Sequence, residues 1–221
     1  MISRPPPWEG LFFDWNGTLL NDLERHYYAA KRIFEMCGVK PPTRDQYCEE
    51  ISSEFWRFYY EHGISSSVTS DELNAMKNQA LSEHEVPSAI LQDDAIAVLA
   101  QCQRRNIRLF LVSGEAPEKL KRDIAHYGVA LYFEGVWGGA HPKEIVLGRV
   151  LERSGIVPQR SCYVGDTVED VHIARTLGME AAAFTGGYAS YERLFVSPYT
   201  YLLHSLADIL GILRSVLVDK I

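Results

Sequence analysis

The sequence contains no run of apolar residues approaching the roughly 18 needed to cross a bilayer, so we expect no membrane span. The first ten residues hold three consecutive prolines and no apolar core, which argues against a signal peptide. A basic excess is also missing, because 22 Lys+Arg stand against 29 Asp+Glu, a formal net charge of −7. Nucleic-acid binders normally present a basic face, so we expect no nucleic-acid partner.

Cysteine is scarce and is not spaced for redox or metal chemistry. The four cysteines are Cys37, Cys48, Cys102 and Cys162, with no Cys-x-x-Cys pair among them. This usage is typical of reduced, mostly buried thiols, and reduced thiols are typical of the cytosol. We therefore predict a cytoplasmic protein without a disulfide or a cysteine-bound metal.

Short apolar runs recur along the 221 residues, each followed by turn residues and then by a helical pattern. The runs are residues 11–13, 107–112, 161–164, 181–184 and 199–203. The helical patterns are residues 117–127, 143–154, 168–177 and 206–218. Buried runs that alternate with helices favour parallel strands, so we predict an α/β fold with a doubly wound, mostly parallel, Rossmann-like sheet.

Residues 21–87 do not follow this alternation, because they show helical periodicity and no convincing strand. We predict a small all-α cap domain over 21–87 and an α/β core domain over 1–20 and 88–221. An aromatic cluster lies within the predicted cap: Phe55, Trp56, Phe58, Tyr59 and Tyr60. These rings either line a substrate pocket or form the packed interior of a helix bundle.

Polar side chains stand where several predicted strands end. Asp14 follows the first strand, Ser113 the second, and Asp166 with Asp170 the strand at 161–164, while Lys143 opens a helix. Each has an ordinary explanation, such as a helix cap, a first-turn acid or a solvated lysine. Doubly wound sheets bind ligands at this edge, where clustered carboxylates suit Mg²⁺ and a hydroxyl and an ammonium suit phosphate oxygens.

The order of these groups resembles the haloacid-dehalogenase (HAD) superfamily of hydrolases, and within it the phosphoglycolate-phosphatase-like group with a helical cap after the first motif. The matching elements are Asp14-x-x-Gly17-Thr18-Leu19, Ser113, Lys143 and Gly165-Asp166-x-x-x-Asp170. The resemblance covers essentially the whole chain. It implies a phosphatase that acts on a small phosphorylated metabolite.

The resemblance also implies a role for each residue. Asp14 would attack phosphorus and form an aspartyl-phosphate, which water then hydrolyses. Mg²⁺ would be held by Asp14, Asp166 and the backbone carbonyl of Asn16, with Asp170 orienting this shell. Lys143 would offset the repulsion between the Asp14 carboxylate and the phosphate.

Two further roles concern the substrate. Ser113 and the Gly114 amide would bind phosphate oxygens, although Glu115 brings a negative charge close to them. His26 stands where some family members place a histidine that contacts substrate, and an ordinary exposed helix histidine is the alternative.

Asn16 is the main departure from the family pattern. Related phosphatases usually carry an aspartate there, acting as general acid and base. An amide cannot exchange a proton near neutral pH, and general acid–base catalysis is worth about 10²–10⁴-fold. We therefore expect turnover of aryl and acyl phosphates, slow turnover of alkyl phosphates, and faster alkyl turnover in Asn16→Asp.

Other functions remain open at this point. A catalytically weak or inactive protein of the same fold, binding a phosphorylated ligand or a protein partner, is the main alternative and rests on Asn16. A dehalogenase is disfavoured by the acidic pair Asp166 and Asp170, and a phosphomutase by Asn16. The sequence leaves monomer and homodimer equally open.

Overall fold

The computed structural model describes residues 8–51 and 55–215, and the fold below refers to these. Most of the proline-rich start lies outside this part, as do residues 216–218 of the predicted terminal helix. Among the described helices, none is long and apolar enough to cross a membrane. Cys37, Cys48, Cys102 and Cys162 are all free thiols, as predicted, and only Cys37 is partly exposed.

Eight strands form within the described residues. They are β1 (Gly10–Phe13), β2 (Leu20–Asn21), β3 (Ile90–Leu91), β4 (Arg108–Val112), β5 (Gly135–Trp137), β6 (Ser161–Gly165), β7 (Glu180–Phe184) and β8 (Tyr201–Leu203). Six of them make one sheet in the order β5-β4-β1-β6-β7-β8, and every neighbouring pair is parallel. The predicted α/β class with a parallel sheet is therefore confirmed.

Ten α-helices accompany the strands in the same part of the chain. They are α1 (Leu23–Met36), α2 (Arg44–Glu50), α3 (Phe55–Glu61), α4 (Ser70–Ala80), α5 (Ala95–Arg104), α6 (Pro117–His126), α7 (Lys143–Ser154), α8 (Val168–Thr176), α9 (Tyr191–Phe195) and α10 (Asp208–Ser215). The helical patterns at 117–127, 143–154 and 168–177 are thus confirmed to within one residue.

Successive residues of the central strands enter two different cores, because side chains alternate between the faces of a strand. In β1, Leu11 and Phe13 join one core, and Phe12 joins the other. Residues of α5, α6 and α10 complete the first core, and residues of α7, α8 and α9 complete the second. Helices thus cover both faces, which explains why β1 is buried along its whole length.

The helices α1–α4 lie between β2 and β3, which pair with each other in an antiparallel two-stranded sheet. We call α1–α4 the helical insert. Its interior holds Phe58 and Tyr59, which are 2% and 4% exposed and pack edge-on against each other, while Trp56 is 36% exposed. Phe58 also packs edge-on against Phe34. Phe55 and Tyr60 are partly buried and pack against the same core, so most of the aromatic cluster belongs to the interior of this helical unit.

Candidate active site

Three of the predicted site residues lie side by side at one edge of the sheet. Strands β4, β1 and β6 are neighbours, and their carboxyl ends lead directly into Ser113, Asp14 and Asp166. The Asp14 N–H donates to the Val164 carbonyl at 2.9 Å, which continues the pairing of β1 with β6 past the end of β1. All three side chains are buried.

Asp14, Asp166 and Asp170 form a buried carboxylate cluster, in which one oxygen of each lies within 4.8 Å of the others. Burial raises the pKa of Asp14 to about 6, with Lys143 opposing the rise and Asp170 adding to it. Burial and the charges of Asp170 and Asp14 raise the pKa of Asp166 well above its ordinary value. A group of like charges in a buried place is stabilised by a cation.

Lys143, the first residue of α7, supplies one positive charge to this cluster. Its Nζ lies 2.8 Å from Asp170 Oδ1 and 3.3 Å from Asp14 Oδ1. Burial opposes the charged form, but Asp14 and Asp170 together hold the pKa of Lys143 well above its ordinary value. The lysine is therefore an ammonium, and it faces the nucleophile position predicted from the sequence.

Asp170 is held in place from two sides. Its Oδ2 accepts hydrogen bonds from Thr167 N at 3.2 Å and from Thr167 Oγ1 at 2.7 Å, in a capping box at the start of α8. Its Oδ1 accepts the bond from Lys143. The ordinary explanation for Asp170, a role in capping α8, is therefore correct. The same side chain also contacts Lys143 in the carboxylate cluster.

Asp166 is fixed by donors from two distant parts of the chain. Thr18 Oγ1 donates to its Oδ1 at 2.8 Å, and Tyr188 N donates to its Oδ2 at 2.7 Å. Two glycines allow this close approach, because a Cβ on Gly17 or Gly187 would lie 2.2 Å from Asp166 Oδ2. Gly17 also adopts a φ of +76°, which favours glycine.

The residues of the cluster fit a hard divalent cation. Asp14 Oδ1 is buried and accepts no hydrogen bond from the described residues, although Lys143 lies at ion-pair distance. The Asn16 backbone carbonyl also accepts no hydrogen bond from the described residues. Carboxylate and carbonyl oxygens are the ligands that Mg²⁺ takes in proteins. Asp14, Asp166 and the Asn16 carbonyl could therefore hold such an ion.

The loop after β4 provides the candidate phosphate contacts. Ser113 Oγ accepts a hydrogen bond from Glu115 N at 3.1 Å, which leaves its own hydroxyl proton available to donate. The Gly114 N–H has no partner among the described residues, and a Cβ at Gly114 would come within 2.9 Å of His141 Nε2. The charge of Glu115 is offset locally, because its Oε2 lies 2.7 Å from Lys119 Nζ.

Asn16 and His26 both contact a residue that the motif analysis did not single out, Asp22. Asn16 Nδ2 donates to Asp22 Oδ2 at 2.7 Å, and His26 Nε2 lies 3.2 Å from the same oxygen. The His26 side chain is only 15% exposed, so it is not an ordinary exposed helix histidine. Burial lowers the pKa of His26 although Asp22 opposes this, and a neutral ring is favoured.

Thr18, Tyr188 and Asp22 have roles in the site that sequence reasoning missed. Thr18 belongs to the first motif but has no role assigned from the sequence, and Tyr188 has none either. Asp22 precedes a helix, where an aspartate is expected to be a cap. The nearest signal was its spacing, because Asp22 and His26 stand one helical turn apart.

The whole chain can be compared with known proteins. Residues 11–184 match the family model described as haloacid dehalogenase-like hydrolase. The phosphoglycolate phosphatase of Synechococcus elongatus is 24% identical over 204 residues, covering 91% of this chain and 95% of the relative. That of Vibrio vulnificus is 26% identical over 217 residues, covering 90% and 93%.

The fold comparison agrees with the sequence comparison. A haloacid dehalogenase-like hydrolase from Streptococcus pneumoniae superposes with a TM-score of 0.78 at 19% identity, covering 93% of this chain and 98% of that one. The family model spans the first motif, Ser113, Lys143 and the acidic pair at Asp166 and Asp170. The chain therefore belongs to the haloacid dehalogenase-like hydrolase family, as its motifs predict.

Proposed function

We propose that this protein is a Mg²⁺-dependent phosphatase that hydrolyses a small phosphorylated metabolite through an aspartyl-phosphate on Asp14. The observation that carries this proposal is the placement of the Asp14 carboxylate. It lies 3.3 Å from the Lys143 ammonium and within the buried cluster with Asp166 and Asp170. The names of the relatives from Synechococcus elongatus and Vibrio vulnificus support the same reaction class.

Each side chain has a task in this mechanism. Asp14 attacks phosphorus, the bond to the leaving-group oxygen breaks, and water later cleaves the new acyl phosphate and returns the carboxylate. The Ser113 hydroxyl and the Gly114 N–H donate to phosphate oxygens, and Lys143 stabilises the negative charge between nucleophile and phosphate. A bound Mg²⁺ supplies Lewis-acid stabilisation of the phosphoryl oxygens. Asp170 keeps Lys143 in place.

Asn16 restricts the substrates that we propose for this site. Its amide accepts or donates a hydrogen bond but does not transfer a proton near neutral pH. A leaving group that departs without protonation, such as an aryl or acyl phosphate, avoids this loss. The relatives are named for phosphoglycolate, which is an alkyl phosphate. We propose that this chain handles such esters slowly, so its preferred substrate carries a more acidic leaving group.

The helical insert, within a cap domain over residues 21–87, is proposed to select the substrate. It reaches the site directly, because His26 belongs to α1 and lies 3.2 Å from the Asp22 oxygen that also accepts from Asn16. His26 is accordingly proposed to contact the substrate beyond the phosphate. We also propose a cytoplasmic location on the basis of the free thiols.

The test is hydrolysis of p-nitrophenyl phosphate by the full chain with Mg²⁺ and with EDTA. Asp14→Asn is made in parallel, with Asp71→Asn on the exposed first turn of α4 as a matched control. Turnover that needs Mg²⁺ and is lost only in Asp14→Asn supports the proposal. Equal turnover in Asp14→Asn contradicts it, and binding of phosphate without turnover favours the catalytically weak alternative.

A further inference from the structure

The Asp22 carboxylate is the meeting point of four polar groups from three parts of the chain. Oδ1 accepts from Gly17 N at 3.0 Å and from Tyr188 OH at 3.0 Å. Oδ2 accepts from Asn16 Nδ2 at 2.7 Å and lies 3.2 Å from His26 Nε2. Asp22 is 2% exposed. A buried carboxylate with four such partners is fixed and charged, because hydrogen bonds to the ionised form favour it.

Asp22 does not perform the task that its position suggests. It is the residue just before α1, where an aspartate normally accepts a hydrogen bond from an N–H of the first helical turn. The Asp22 side chain makes no such cap. It turns instead toward the loop that follows β1, which carries Asn16 and Gly17. The side chain therefore serves the candidate active site rather than the helix.

This contact decides how the Asn16 amide is oriented. A carboxylate can only accept hydrogen bonds, so the Asn16 atom that faces Asp22 must be the donor Nδ2. The acceptor Oδ1 of Asn16 is therefore directed away from Asp22. Among the described residues, the hydrogen bond of the Asn16 side chain is the one that Nδ2 donates, and no donor reaches Asn16 Oδ1. Asn16 is also partly exposed, whereas residues 11–15 and 17–20 on either side of it are buried. The amide thus offers a free acceptor oxygen at the edge that holds Asp14.

We propose that Asp22 is a positioning residue for catalysis, which locks the Asn16 amide with its acceptor oxygen open to the substrate side. The inference rests on the proposed phosphatase function and deepens it. In that orientation Oδ1 accepts a hydrogen bond from the water that attacks the aspartyl-phosphate and orients this water, while the proton of the water passes to the departing phosphate and Asp14 is released as a carboxylate. An ionised aspartate at position 16 would instead be repelled by the Asp22 carboxylate.

The pair changes what we expect of Asn16→Asp. Alone, this substitution places a second carboxylate at hydrogen-bond distance from Asp22, where two like charges repel. Asp22→Asn alone places two amide donors face to face if both residues keep their orientation. We therefore expect Asn16→Asp to be less stable than wild type, and the predicted gain in alkyl turnover to be clearest when Asp22 is exchanged as well.

The exchanged double variant Asn16→Asp/Asp22→Asn satisfies every contact. The amide oxygen introduced at position 22 takes the Oδ1 place and accepts from Gly17 N and Tyr188 OH. The new amide nitrogen takes the Oδ2 place and donates to the carboxylate at position 16. It also donates to His26 Nε2 when the ring proton sits on Nδ1. The exchange thus moves the carboxylate from one residue to the other and keeps four hydrogen bonds.

The experiment compares wild type, the two single variants and the double variant by thermal unfolding and by kinetics. We expect each single variant to lower Tm by about 4–10 °C and the double variant to return within about 3 °C of wild type. Additive losses of Tm would overturn the inference. Asn21→Asp, the same change at an exposed neighbour in β2, should leave Tm and kcat unchanged.

The kinetic measurements distinguish an effect of Asp22 on catalysis from an effect on folding. Asp22→Asn should lower kcat about 10-fold or more on p-nitrophenyl phosphate, while KM changes less than about 3-fold. The double variant should regain this activity and exceed wild type on an alkyl phosphate. Unchanged kcat in Asp22→Asn would overturn the inference. If wild type has no turnover, the proposed function fails, and the Tm comparison still decides whether Asp22 holds Asn16.

Discussion

Lys143 Nζ lies 3.3 Å from Asp14 Oδ1, and this ion pair connects the start of α7 to the end of β1. The two residues are 129 positions apart in the chain, so the contact exists only because the sheet brings both elements to one edge. An ammonium beside the proposed nucleophile reduces the repulsion that a phosphate dianion would meet there. The pair therefore links the fold directly to the proposed chemistry.

Replacing Lys143 tests this link. Lys143→Met removes the ammonium and keeps the length of the side chain, and we expect kcat to fall about 10²–10³-fold. The remaining carboxylates lose their only lysine partner within the described cluster, so Tm at pH 8 should fall and Mg²⁺ should restore part of it. Lys121→Met on the exposed face of α6 is the control. A Lys143→Met enzyme with wild-type kcat would refute the role.

Gly187 tests the close packing around Asp166. A Cβ at Gly187 would lie 2.2 Å from Asp166 Oδ2, so Gly187→Ala must displace that carboxylate. We expect weaker Mg²⁺ binding by at least about 10-fold, measured by titration calorimetry. Gly211→Ala in α10 is the matched control, because a Cβ there meets open space. Equal Mg²⁺ affinity in both variants would show that Asp166 does not bind the ion.

The pH dependence of Mg²⁺ stabilisation follows from the raised pKa values. Asp14 has a pKa of about 6 against an ordinary 3.8, and the pKa of Asp166 is also raised. In the metal-free folded state these two groups therefore bind protons more readily than in the unfolded chain, and their contribution to stability rises as pH falls from about 6 toward 4. Protons compete with Mg²⁺ for these oxygens.

We expect the increase in Tm caused by Mg²⁺ to be largest near pH 8 and to shrink below about pH 6. Unfolding scans with and without Mg²⁺ across this range measure it. Ca²⁺, which also prefers oxygen ligands, is a useful comparison. An increase in Tm that is the same at pH 5 and pH 8 would argue against binding by Asp14 and Asp166.

Substrates of graded leaving-group pKa test the consequence of Asn16. We expect kcat/KM to fall steeply as the leaving group becomes more basic, with aryl phosphates about 100-fold or more faster than alkyl phosphates. Steady-state rates for a series of substituted phenyl phosphates and simple alkyl phosphates give the slope. A flat dependence with high activity on alkyl esters would mean that another residue transfers the proton.

The positions of Asp14, Ser113 and Asp166 were predictable because each follows an apolar strand, and adjacent parallel strands place such residues at one edge. The bounds of the short strand β5 were not predicted, since three partly buried residues carry almost no periodic signal. The pairing of β2 with β3 was missed for a related reason. It joins two residues on each side of a gap of 68 residues, and no local pattern encodes such a contact.

Asp22 shows a different limit of sequence reading. Its position just before α1 favours a helix cap. That local preference is outweighed by four polar groups that contact the carboxylate, and one of them, the Tyr188 hydroxyl, is 166 residues away in the chain. The motif shows that Asn16 departs from the family pattern, but it does not show that Asn16 contacts Asp22. Only the three-dimensional structure shows that the amide at 16 and the carboxylate at 22 belong together.

The most direct test of the central claim is chemical identification of the phosphorylated residue. The enzyme is mixed with an aryl phosphate and Mg²⁺, quenched in acid during turnover, reduced with borohydride and analysed by peptide mass spectrometry. Reduction converts an aspartyl-phosphate into homoserine, so we predict homoserine at position 14, and only when substrate and Mg²⁺ are present. An unmodified Asp14 in a sample quenched while the enzyme is turning over would contradict the account.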